Sequence, residues 1–207
     1  MNSAGSVGRT MALVHFFLGA LLLFAVFPAA AQVGIYGEFS SSRINLANQP
    51  EEYGITFGGY RERNFAHLKA LEFGPDLRMT LQTGSNGSNS LGGAPAQTLL
   101  MIQGGPRVAF RTPIARLQPY LEGLVGAGNS QIGETVPDGS PVPPGTPLNN
   151  KNGGASFELQ GLGGLDLRVH RKLDWRVVEV GYARLFSTGD SGLTFATFST
   201  GLVYHLR

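Results

Sequence analysis

The sequence predicts an all-β fold: an eight-stranded antiparallel up-and-down transmembrane β-barrel preceded by a cleaved signal peptide. Three observations predict it. From Val33 onward, apolar and polar side chains alternate with a period of two. The links between the alternating runs are by turns long and short. Charged residues make up only 14% of the 207 positions, while the hydrophobic share is an ordinary 42%. Low charge without high hydrophobicity suits strands in which every apolar residue has a polar neighbour.

The first element is an address. Met1–Thr10 is polar and carries one charge, Arg9. Met11–Phe27 is a continuous apolar run, Pro28 breaks it, and Ala29-Ala30-Ala31 supplies small residues for cleavage. Ala29 and Ala31 form the A-x-A site, so the cut is expected after Ala31 and Gln32 begins the mature chain. The expected division is therefore signal peptide 1–31 and barrel 32–207. The alternative is an uncleaved anchor, but the run is short of the roughly 20 residues that span a bilayer comfortably. No later segment has enough consecutive apolar residues for a membrane helix, so a membrane-embedded mature chain must be a barrel.

The strands follow in order. Val33–Ser42 and Tyr53–Arg63 alternate weakly. In Ala70–Leu81, Leu71, Phe73, Leu77, Met79 and Leu81 oppose Glu72, Asp76 and Arg78. In Leu99–Arg111, Leu100, Ile102, Val108 and Phe110 oppose Gln103, Arg107 and Arg111. In Leu117–Gly128, Leu121 and Val125 oppose Gln118, Tyr120 and Glu122. Ser156–Val169 is the clearest: Phe157, Leu159, Leu165, Leu167 and Val169 share one face, and Glu158, Gln160, Asp166 and Arg168 the other. Asp174–Phe186 is ambiguous, because Glu179 and Arg176 fall on opposite parities; a bulge would reconcile them. In the last strand Ala196, Phe198, Leu202, Tyr204 and Leu206 oppose Thr197, Ser199 and His205.

Long connections fall at Arg43–Glu52, Gly84–Ala96 and Asn129–Gly153, with a moderate one at Ser187–Gly192. Short ones fall near Asn64–Ala66, Thr112–Ala115 and Arg171–Leu173. Four outer loops and three tight turns are what a barrel with both termini in the periplasm requires. Aromatics suggest two girdles: Phe65, Phe110, Trp175 and Tyr204 towards the turns, and Tyr53, Phe157, Phe186 and Phe195 towards the loops.

The closing segment LTFATFSTGLVYHLR, with the GYARLF strand and the signal peptide, resembles the OmpA-like β-barrel domain superfamily of bacterial outer-membrane proteins. The resemblance runs from about Gln32 to the end. It implies a Gram-negative outer-membrane location, and a closing strand (Phe198, Leu202, Tyr204, Leu206) read by the barrel-assembly machinery. The chain departs from the pattern by ending Leu206-Arg207 where a terminal Phe is usual. No soluble wall-binding domain is expected after the last strand, so wall anchoring does not carry over.

The polar face places Glu38, Glu72, Asp76, Arg78, Arg107, Glu122, Glu158, Asp166 and Arg168 in the lumen, where charges must pair or stay hydrated. The expected role is structural or surface-interacting, with a plugged lumen and the loops as contact surface. The expected partners are outer-membrane lipids, the assembly machinery and an extracellular ligand at the loops. Asn129–Gly153 is the leading contact loop on length. Alternatives are a narrow ion-conducting pore, a lipocalin-like ligand-binding barrel with its apolar face inside, and an outer-membrane lipid-modifying enzyme. Residues predict no catalytic, cofactor or metal site and no enzymatic activity. The histidines His67, His170 and His205 fall at turn ends, cysteine is absent, and no phosphate loop occurs. Beyond residue 31 there are 15 basic and 14 acidic residues and no basic run with interleaved aromatics, so no nucleic-acid partner is expected.

Overall fold

The computed structural model describes residues 32–44, 51–65, 68–85, 96–114, 116–132, 134–135, 147–148, 156–186 and 193–206. The cleavage residues Ala29 and Ala31 lie outside the described residues, and Gln32 opens the first strand. The strands are β1 (Gln32–Ile44), β2 (Glu51–Phe65), β3 (Leu68–Ser85), β4 (Ala96–Phe110), β5 (Leu117–Ile132), β6 (Glu134–Thr135), β7 (Pro147–Leu148), β8 (Ser156–His170), β9 (Leu173–Phe186) and β10 (Leu193–Leu206). Eight of them close a barrel in the order β1-β10-β9-β8-β5-β4-β3-β2, every neighbour antiparallel. The predicted eight-stranded up-and-down barrel is the one observed. The two-residue strands β6 and β7 pair with each other within the longest connection, an element the periodicity gave no sign of.

Closure joins β1 to β10 from Val33↔Leu206 to Ile44↔Phe195. A closed sheet leaves no edge carrying unpaired backbone groups, which is what a hydrocarbon surround demands. Barrel strands run from 13 to 18 residues. That exceeds the roughly 9–11 needed to cross a bilayer at a tilt. Both described ends, Gln32 and Leu206, lie at the end of the barrel that carries the short turns.

The facing is now decided. Large apolar side chains such as Phe39, Phe57, Met79, Leu121, Leu159, Val180 and Leu202 are exposed on the outer face, while Glu38, Asp76, Arg107, Glu122, Asp166 and Arg176 are buried inside. A soluble lipocalin-like barrel needs the reverse, so this alternative fails on geometry. Phe198, Leu202, Tyr204 and Leu206 of the closing strand all face outward.

The ambiguous strand is resolved by a bulge at Val177. Arg176 pairs with Gly201 and with Asp166, whereas Val178 pairs with Leu165 and Glu179 with Ser199. One extra residue on β9 switches parity, so Arg176 points inward before the bulge and Glu179 points inward after it. One aromatic expectation is corrected: Phe195 is buried in the lumen, not part of an outer girdle. Its odd parity on β10, shared with Thr197 and His205, dictates this. Tyr53, Phe157 and Phe186 do face outward near the loops, where Phe39 stacks on Tyr53 and Phe157 packs on Phe186 at 5.9 Å.

Candidate functional site in the barrel lumen

Three guanidinium groups organise the interior. Arg107 on β4 reaches Glu62 on β2, Glu122 on β5 at 2.6 Å and Asp166 on β8 at 2.9 Å. Arg176 on β9 meets Asp166 at 2.9 Å, Glu38 on β1, and Glu179 at 3.3 Å. Arg78 on β3 meets Glu179 at 2.7 Å, Glu122, and Asp76 at 3.4 Å. Glu122, Asp166 and Glu179 each bridge two arginines, so the pairs form one network tying seven of the eight barrel strands. Its members are nearly all sealed from solvent, and charges there persist only with partners on every side.

Aromatic rings complete the cage. The Arg107 guanidinium lies 3.6 Å from the centre of the Tyr120 ring and 4.2 Å from that of Tyr60. Arg176 lies 4.4 Å from Tyr36 and 4.6 Å from Tyr120. Cations above ring faces gain electrostatic attraction that strengthens with desolvation. Tyr36 donates to Asp76 at 2.8 Å and Tyr120 to Glu179 at 2.6 Å. The rings lie flat because inward glycines make room. A Cβ on Gly58 would sit 2.3 Å from Tyr36, one on Gly34 2.5 Å from Tyr60, and one on Gly164 2.3 Å from Tyr120. Each tyrosine covers a bare stretch of the neighbouring strand.

Above this network, towards the loops, the lumen becomes mostly hydroxyl and amide, with the buried Glu52 accepting from Ser42 at 3.4 Å, and then apolar. Ser40, Ser42, Thr56, Thr80 and Gln82 hydrogen-bond one another, and Gln103 donates to Gln160, which donates to Thr197. Leu99, Met101, Ala183, Leu185 and Phe195 then form a buried apolar cluster. Glu158 sits against it: a Cβ on Gly128 would lie 2.7 Å from Leu185, 3.4 Å from Met101 and 3.5 Å from the Glu158 carboxylate. Glu158 is fully buried, and neither carboxylate oxygen has a hydrogen-bond partner among the described residues.

At the turn end the lumen opens into a cavity of about 230 Å³ lined by Glu72, Arg111, Arg116, Gln118, Arg168 and Asp174, among others. Glu72 accepts from Arg111 and Gln118, both bonds under 2.8 Å. His205 is 2.7 Å from Asp174 and 2.8 Å from Gln32.

Of the nine residues assigned to the lumen by parity, Glu38, Asp76, Arg78, Arg107, Glu122 and Asp166 meet in the network. Glu72 lies below it at the mouth and Glu158 above it, alone. Arg168 departs from the expectation: it is exposed at the rim of the turn-end cavity, 3.4 Å from Asp174, because the pairing of β8 with β5 ends at Leu167 and leaves the Arg168 side chain open. Sequence reasoning missed Glu62, Arg176 and Glu179. The even parity that Glu62 shares with Thr56 and Tyr60 would have found it, but nothing local locates the bulge that brings in the other two.

No protein-family model and no curated protein matches the chain. Solved structures do. Neisserial surface protein A superposes with a TM-score of 0.54 at 14% identity, covering 84% of this chain and 96% of that one. The outer-membrane enzyme PagL gives 0.52 at 12% identity, covering 81% and 98%. The attachment invasion locus protein Ail of Yersinia pestis gives 0.49 at 16%, covering 85% and 97%. The chain has the fold of the eight-stranded outer-membrane β-barrels.

Proposed function

We propose that this protein resides in the bacterial outer membrane as a closed, non-enzymatic barrel that holds its outer loops as a surface for contact with extracellular partners. The observation that carries this reading is the lumen network. Arg78, Arg107 and Arg176 with their carboxylates brace the interior across opposite walls, so the barrel is a stiff plugged post and not a conduit. The apolar outer face supports the membrane location. His205, tied to Asp174 and Gln32 at the turn end, and exposed His170 beside it are far from the loop end, where a general base acting on the outer leaflet would be needed.

The first test is heat-modifiability. The detergent-extracted chain, run unboiled and boiled, is expected to shift in gel mobility and to fractionate with the outer membrane. In planar bilayers it is expected to give no steady conductance. A chain that does not shift and stays in the soluble periplasmic fraction overturns the membrane reading, and stable single-channel steps overturn the plug. The second test is deletion of residues 133–153, the part of the predicted contact loop that lies beyond the end of β5. The shift on boiling is expected to persist while binding of cells to host surface components falls. Loss of the shift would make this segment part of barrel assembly instead.

A further inference from the structure

The charge on the barrel is unevenly placed. At the turn end, every exposed charged side chain among the described residues is a cation: Arg63, Arg111, Arg116, Arg168, Arg171 and Lys172. The acids at that end, Glu62, Glu72, Asp166 and Asp174, are all buried. Arg111 and Arg168 are partly engaged, with Glu72 and Asp174. Arg63, Arg116, Arg171 and Lys172 have no ion-pair partner among the described residues. Among the described residues, the loop end mixes signs: exposed Arg43 and Arg184 are accompanied by exposed Glu51.

Two apolar side chains stand within this basic rim. Ile114, at 65%, and Val169, at 62%, are the most exposed large hydrophobics among the described residues. Ile114 lies in the turn between Arg111 and Arg116, and Val169 between Arg168 and Arg171. The turn is braced: Thr112 donates to the carbonyls of Ile114 at 2.9 Å and Leu117 at 2.6 Å, and the Leu117 amide donates to Ile114 at 2.9 Å. These bonds fix the backbone at Ile114, whose exposed side chain stands at the border of the turn-end cavity. A soluble polyanion would use the cations but gain nothing from the isoleucine and valine. A lipid headgroup layer uses both, with phosphates for the guanidinium groups and the acyl boundary for the apolar side chains.

We propose that the turn-end rim is a binding surface for anionic phospholipid headgroups, drawing them around the barrel in the leaflet that the turns face. The inference rests on the outer-membrane reading above, with the turns on the periplasmic side. The attraction is electrostatic and acts within a Debye length of the surface, so salt weakens it.

The chain carries a single tryptophan, and Trp175 lies outward near the turn end of β9, which provides a local probe. The full chain is refolded into phosphatidylcholine vesicles containing a fixed fraction of either brominated phosphatidylglycerol or brominated phosphatidylcholine. Brominated phosphatidylglycerol is expected to quench Trp175 as though enriched roughly two- to fivefold around the barrel. The excess is expected to vanish in molar salt and in the triple variant Arg116→Gln, Arg171→Gln, Lys172→Gln. That variant touches none of the lumen ion pairs and is expected to keep its shift on boiling. Equal quenching by the two lipids in a heat-modifiable barrel overturns the proposal while leaving the membrane reading intact. A phosphatidylglycerol preference that survives the triple substitution overturns the assignment to this rim. No quenching by either lipid overturns the membrane reading itself and the proposal with it.

Discussion

Arg107→Ala is expected to destabilise the barrel by about 3–5 kcal/mol, the range for breaking a buried ion pair from one side. The residue has no solvent exposure, and its guanidinium serves Glu62, Glu122 and Asp166 while lying between the rings of Tyr120 and Tyr60. Truncation leaves the Glu62 carboxylate without a charged partner. Glu122 keeps only Arg78, and Asp166 only Arg176. Arg107→Lys should recover a minor part, because one ammonium cannot meet three carboxylates from three strands in the planar fork that the guanidinium supplies. The check is urea unfolding of the refolded barrel in lipid vesicles, read as the shift in midpoint at constant slope. Adding Glu62→Gln to Arg107→Ala should return part of the loss, a non-additivity expected of groups in one network. If Arg107→Ala unfolds at the wild-type midpoint, the network is not what stiffens the lumen.

Glu158→Leu is expected to act in the opposite direction, stabilising by about 1–3 kcal/mol, the desolvation cost of an unpaired buried polar group. The carboxylate shares the space over Gly128 with Leu185 and Met101 of the apolar cluster, and both its oxygens lack partners among the described residues. A leucine of similar size adds to that cluster. Glu158→Gln should gain less, because a buried amide also needs partners. The same urea titration reads both variants. A loss of stability in Glu158→Leu would show that the carboxylate is satisfied in the assembled barrel by a group from the loops or by a bound cation. The two substitutions separate two kinds of buried charge: one held on every side, and one held on none.

How much of this was legible beforehand can be traced residue by residue. Period-two alternation identified all eight barrel strands, and alternation of connection length set their up-and-down order, because both follow from strand geometry alone. The membrane facing was legible only indirectly, through the scarcity of charge, since periodicity separates two faces without saying which is inside. Parity also put Glu38, Asp76, Arg78, Arg107, Glu122 and Asp166 on one face. It could not say which of them meet, because contacts across a lumen depend on strand tilt and register around the whole circle. Glu158 illustrates the limit. By parity it is indistinguishable from Asp166, yet Asp166 bridges two arginines and Glu158 faces an apolar cluster.

The sequence by itself determined the strand set, the alternation within each strand, the end at which the short turns gather, and the identity of most polar side chains turned to one face. Those are local properties, written at spacings of two residues and in the chemistry of turns. Tertiary structure decided three things. Closure of β1 on β10 turned the polar face inward. The bulge at Val177 brought Arg176 and Glu179 to the same side, a parity switch that costs one residue and leaves no mark in composition. The height of each residue in the barrel decided whether its charge was paired, exposed at the rim like Arg168, or left alone like Glu158, because pairing depends on what the opposite wall presents at that level.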